Sequence, residues 1–146
     1  MQKKSECLIQ SELISVVRFL ETGLIDGVEP IDELSLLFHI VNEGKRSMQE
    51  GASLKRQGMK SGIPDLCFPI ASQDGKFCGL WLEMKTDIGK LSQSQIEYIG
   101  KLKKHGNRVE VCRTSKSAIK SIMEHLGRYD VVKLIDEDYD AILNPI

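Results

Sequence analysis

The sequence predicts an α/β domain whose helices pack on a small mixed sheet, in the order α-β-β-β-α-β-α. Three observations carry that expectation. Apolar residues recur at helical spacing towards both ends of the chain, at Leu8, Ile9, Leu13, Val16, Val17 and Leu20 and again at Ala118, Ile119, Ile122, Met123 and Leu126. Between them, Leu80, Leu82 and Met84 alternate with Trp81, Glu83 and Lys85, the two-residue period of a strand. The composition, 41% hydrophobic and 28% charged over 146 residues, is that of one ordinary globular domain.

Residues 5–21 read as the first helix. On its wheel Glu6 lies about 40° from the centre of the apolar stripe, and Glu12 about 80° away, at the edge. A carboxylate aimed into a packing interface is costly unless it is paired or holds a metal. Residues 22–34 are acidic, with Gly23, Gly27 and Pro30, and read as a loop. Residues 36–41 form a short apolar strand that Asn42-Glu43-Gly44 ends as a turn. Residues 44–62 are polar and basic with four glycines, a long loop or a short helix plus loop, and such segments are usually functional.

Residues 64–70 read as the second strand and residues 77–85 as the third, joined by a hairpin that Asp74-Gly75 signals. Ser92 and Gln95 fit a capping box at the start of the next helix, which Gly106 ends. Residues 108–113 form the fourth strand and residues 115–126 the last helix. From Asp130 onward acidic and apolar residues alternate, and no state is assigned. The chain thus divides into a domain over residues 1–129 and a tail over residues 130–146.

The net charge of −1 hides an uneven distribution. Residues 1–38 carry 3 basic and 7 acidic side chains, residues 39–129 carry 16 and 9, and residues 130–146 carry 1 and 5. A basic centre permits a polyanion partner despite the near-neutral total. No apolar run is long enough to span a membrane. Charged Glu12 and Arg18 interrupt any secretory apolar region, which points to an intracellular protein. Cys7, Cys67, Cys78 and Cys112 are widely spaced and read as buried, reduced thiols.

The chemistry sits on the hairpin. Pairing about residue 74 sets Asp65 opposite Glu83, with Cβ atoms about 5 Å apart. Two carboxylates at that distance repel unless a cation lies between them. Hard oxygen ligands on a rigid sheet suit Mg²⁺ or Mn²⁺. Lys85 falls on the same face, where it can orient or activate an attacking water. A carboxylate pair, a metal and a neighbouring cation are what phosphodiester hydrolysis needs.

Pro64-Asp65 followed by Glu83-Met84-Lys85 resembles the PD-(D/E)xK nuclease superfamily. The flanking stretches at residues 38–46, 58–66, 79–85 and 91–95 are similar to the VRR-NUC family, in particular to its short standalone members from phages and bacteria. The resemblance implies a restriction-endonuclease-like core and divalent-metal-dependent cleavage of DNA, often at branched structures, inside a bacterial cell. By the family pattern, Asp65 and Glu83 bind the metal and Lys85 is the catalytic lysine. A glutamate on the first helix completes the site, and the wheel independently selects Glu6, with Glu12 as the alternative. Gln95 matches a glutamine of the family's following helix, so it is a candidate both for the active site and for the cap. Glu43 lies in a family motif and has no assigned chemistry.

Lys45, Arg46, Lys55, Arg56 and Lys60 precede Asp65 and are candidates to grip DNA phosphates. Aromatic residues are 5% of the chain, so backbone and shape recognition of duplex or junction DNA suits it better than base stacking. Resolving a four-way junction needs two sites related by a dyad, which implies a homodimer. Two other readings are a sequence-specific restriction-type endonuclease and a non-catalytic DNA-binding module of the same fold.

Overall fold

A computed structural model describes residues 3–41 and 46–145. Helix α1 (Glu6–Thr22) is followed by a 3₁₀ turn (Asp32–Leu36), β1 (Phe38–His39), α2 (Met48–Arg56), β2 (Leu66–Phe68) and β3 (Gly79–Met84). Then come α3 (Gln93–Lys104), β4 (Asn107–Cys112), α4 (Ser115–His125), α5 (Tyr129–Glu137) and α6 (Tyr139–Leu143). The sheet order is β1-β2-β3-β4; the first two pairings are antiparallel and β3–β4 is parallel. This is the mixed sheet expected, carrying more helix than the sequence suggested. Among the described residues no helix is long and apolar enough to cross a membrane.

Alternation along β3 separates two faces. Leu80, Leu82 and Met84 are fully buried with Leu66 and Phe68, in one core with Leu13, Val16 and Leu20 of α1 and Ile119, Ile122 and Met123 of α4. Full burial of each such side chain stabilises the fold by roughly 1.5–3 kcal/mol. Trp81 and Glu83 point to the other face, where Trp81 Nε1 donates to Asn107 Oδ1 at 3.0 Å. On α1, Leu8 leaves the expected stripe and is 59% exposed, because the buried face runs through Ile9, Leu13, Val16, Val17 and Leu20.

Several boundaries differ from expectation for local reasons. The acidic stretch read as a loop buries Ile25, Val28, Ile31 and Leu34, one residue in three, against α1. That spacing matches the tight turn it enters, and leaves only Phe38–His39 as the first strand. Strand β2 is shortened by Pro64 and Pro69, which have no N–H to give a ladder. The hairpin turn is as expected: Gly75 takes φ +76, and Asp74 Oδ1 accepts from Ser72 Oγ at 2.7 Å and from Lys76 N–H at 3.0 Å. Cys67 and Cys112 are buried, whereas Cys7 and Cys78 are exposed, on the outer side of α1 and just before β3.

The last stretch packs into the fold. Val131 and Ile135 of α5 and Ile142 of α6 join the main core. Tyr139 and Ser115 share a hydrogen bond at 2.6 Å, tying α6 to the start of α4.

Candidate functional site

The register of β2 and β3 pairs Leu66 with Leu82, Cys67 with Trp81 and Phe68 with Leu80. Continued by one residue, it sets Asp65 beside Glu83, as the hairpin arithmetic requires. Asp65 Oδ2 accepts the Met84 N–H at 2.7 Å, and its backbone carbonyl accepts the Ile40 N–H at 2.8 Å. The aspartate is thus fixed at the mouth of the sheet, where β2 starts and β3 ends.

Glu83 is 2% exposed. Its Oε1 accepts from Gln95 Nε2 at 2.9 Å and lies 3.5 Å from Lys85 Nζ. Its Oε2 is buried and has no hydrogen-bond partner among the described residues. Burial, then the neighbouring Asp65 carboxylate and more weakly Glu6, push the Glu83 carboxyl up to about 7; Lys85 offsets part of that rise. A buried acid this far from its ordinary range, in a group of charged side chains, is characteristic of functional sites.

Gln95 caps its helix and also contacts Glu83. Its Oε1 accepts the Ser92 N–H at 2.8 Å, closing the capping box of α3, while its Nε2 reaches Glu83. The segment before Asp65 is seated on the same helix start. Gly62, at φ +81, lies so close to the Ser94 carbonyl that any Cβ would overlap it. Only glycine suits both the backbone conformation and the contact. The turn after Lys85 is held by Arg113, whose Nη1 donates to the carbonyls of Thr86 at 2.6 Å and Gly89 at 2.8 Å. Nothing in local sequence pattern marks Arg113 or Gly62 for these tasks, because both act across long separations.

The two glutamates of α1 part company. Glu6 is half-buried in the first turn and near enough to act on Glu83 electrostatically. Glu12 is already engaged: Lys4 Nζ donates to Oε1 at 2.7 Å and Ser115 Oγ donates to Oε2 at 2.5 Å. Among the described residues no group of three His, Cys, Asp or Glu side chains forms a closed metal cluster, so Glu6, Asp65 and Glu83 do not converge into one. The donor set still fits a hard divalent cation. Two carboxylates stand side by side, and one buried oxygen has no hydrogen-bond partner among the described residues.

Lys55, Lys60, Gly62, Asp65, Ser92 and Gln95 line a cavity of about 290 Å³ beside this pair. Arg46 lies on the same segment, its Nη1 directed at Met59 Sδ at 3.0 Å, and Arg56 is exposed at the end of α2. Lys45 and Glu43 lie outside the described residues. The arrangement brings a buried Glu83, a half-buried Asp65, an ammonium and a basic cavity to one end of the sheet.

No curated protein matches the chain. A solved structure, a VRR_NUC domain protein, superposes with a TM-score of 0.67 at 23% identity, covering 87% of this chain and 92% of that one. That likeness establishes the fold as restriction-endonuclease-like. The model of the VRR-NUC domain matches residues 28–116, a span that holds Asp65, Glu83, Lys85 and Gln95, and the chain therefore belongs to the VRR-NUC family.

Proposed function

We propose that this chain is a divalent-metal-dependent deoxyribonuclease that hydrolyses phosphodiester bonds, selects branched or four-way junction DNA, and acts as a homodimer. One observation carries the reading: a buried Glu83 with an unpartnered oxygen, set between Asp65 and Lys85. Asp65 and Glu83 would hold Mg²⁺ or Mn²⁺, with Glu6 completing the site from α1. Such an ion, when bound, acidifies a water and balances charge on the phosphate.

The chain's own residues do the rest. Gln95 and Lys85 both engage Glu83 Oε1, which leaves Oε2 to face a ligand. Lys85 Nζ, close to that carboxylate, supplies fixed positive charge where a phosphate oxygen becomes more negative. Lys45, Arg46, Lys55, Arg56 and Lys60 position the DNA backbone and carry no sequence information.

The test uses a supercoiled plasmid and an immobile four-way junction, each with Mg²⁺ and with EDTA. We expect cleavage with Mg²⁺ only, paired symmetric incisions on the junction, and a solution mass near twice 16.4 kDa. Asp65→Ala and Lys85→Ala should each lower the rate by more than about 10²-fold. No cleavage with any divalent metal, or near-native turnover in folded Lys85→Ala, overturns the mechanism. A monomer that nicks one strand overturns the dimeric reading alone.

A further inference from the structure

Asp65 is held from a direction that the site chemistry does not require. Its backbone carbonyl accepts the Ile40 N–H at 2.8 Å, and the same oxygen lies 2.9 Å from His39 Nδ1. His39 Nδ1 also lies 3.0 Å from the side-chain amide of Gln10, on α1. Gln10 stands one turn after Glu6 on that helix.

The geometry decides which nitrogen carries the hydrogen. A carbonyl oxygen only accepts, so a bare Nδ1 lone pair facing it at 2.9 Å would be repulsive. An N–H there makes a second bond to the Asp65 oxygen. The Gln10 amide then turns its oxygen towards the same N–H, since a half-turn about its last torsion exchanges its oxygen and nitrogen. The one N–H then faces two oxygens and no lone pair. With Nδ1 protonated, Nε2 of the neutral ring keeps its lone pair, on an exposed strand residue.

Resting on the reading of Asp65 as a metal ligand, we infer that His39 is a positioning residue for it, held in the Nδ1–H tautomer by the Asp65 carbonyl and the Gln10 amide. The aspartate then takes hydrogen bonds from both sides of its strand: Met84 N–H on its carboxylate, and Ile40 N–H and His39 Nδ1–H on its carbonyl. Strand β1 is two residues long and lies at the edge of the sheet, so its own ladder gives Asp65 little support. His39 adds the missing bond and links the peptide of residue 65 to α1, the helix that also carries Glu6.

The test compares side chains that mimic one ring nitrogen at a time. Asparagine places its amide near the position of Nδ1, glutamine near that of Nε2. Mn²⁺ affinity is measured by titration calorimetry, and kcat and KM on cleavable DNA are measured separately. Outer partners of metal ligands typically contribute about 10–100-fold, so His39→Ala and His39→Gln should lose about tenfold or more in Mn²⁺ affinity and in kcat, with KM unchanged. His39→Asn should stay within about threefold of wild type in both, a rescue expected only if Nδ1–H is the working group. Nitrogen-15 spectra of the whole protein should show His39 protonated at Nδ1. An Nε2–H tautomer, an asparagine variant as damaged as alanine, or full Mn²⁺ affinity in His39→Ala overturns the proposal. Asp65→Ala, run alongside, separates the two readings. If it binds Mn²⁺ as tightly as wild type, the assignment of Asp65 as ligand fails, while the tautomer still decides whether His39 holds its peptide.

Discussion

Replacing Glu83 by Gln should uncouple the stability of the metal-free protein from pH. In the unfolded chain this carboxyl loses its proton near 4.5, and in the fold it keeps it to about 7. Over that window the folded state binds more protons, so stability is greatest below 4.5 and falls as pH rises through 7. The gap corresponds to about 3 kcal/mol once Glu83 is fully ionised. Between about pH 5.5 and 8 the change is about 2 kcal/mol, a sizeable part of a small domain's stability. Gln95 and Lys85 remain beside position 83 in the variant, and Asp65 is untouched, so the contrast isolates the charge on Glu83. The assay is urea unfolding in EDTA at both pH values. Wild type should lose about 2 kcal/mol more than Glu83→Gln on going to the higher pH. Adding Mg²⁺ at the higher pH should restore wild type and leave the variant unchanged, because only the carboxylate gains a ligand. Parallel pH dependence in the two proteins would refute the reasoning, since burial of an ionisable Glu83 is its whole basis.

Two further outcomes follow from the same geometry. Glu6→Gln should raise the Mg²⁺ concentration needed for half-maximal cleavage, whereas Glu12→Gln should leave it unchanged and cost about 1–3 kcal/mol in thermal unfolding, because Glu12 accepts from buried Ser115 and from Lys4. Truncation after Arg128 should abolish cooperative unfolding by circular dichroism, because Val131, Ile135 and Ile142 belong to the main core; a stably folded truncated protein with unchanged melting would show that α5 and α6 are dispensable.

Much of the site is legible along the chain because its parts are local or linked by one turn. Asp65, Glu83 and Lys85 lie on or next to two strands joined by a single hairpin, so the turn sets their register and alternation sets their face. The Ser92–Gln95 capping box needs only a three-residue spacing, and it appears as expected. Periodicity likewise locates α1 and α4, whose buried faces are long enough to repeat.

What periodicity alone misplaced were segments whose partners lie far away in sequence. Residues 22–34 look like a charged loop, yet Ile25, Val28, Ile31 and Leu34 are buried, because α1 presents a surface that must be covered. The acidic tail carries no assignable pattern, yet α5 and α6 bury its apolar positions against the core.

The sequence by itself determined the mixed α/β order, the carboxylate pair, its lysine and the helix cap, since each follows from strand alternation, hairpin symmetry or helical spacing. Only the tertiary structure showed that Glu12 is engaged elsewhere, while Glu6 stays near enough to act on Glu83. Both sit near one stripe of a wheel, but one acts weakly on Glu83, while the other meets a serine 103 residues away. It also decided that Gln95 caps its helix and donates to Glu83 at once, that Gly62 must lie against Ser94, and that His39 reaches the Asp65 carbonyl. Such contacts join residues distant in the chain, and their existence depends on how helices dock on the sheet, which no one-dimensional pattern encodes.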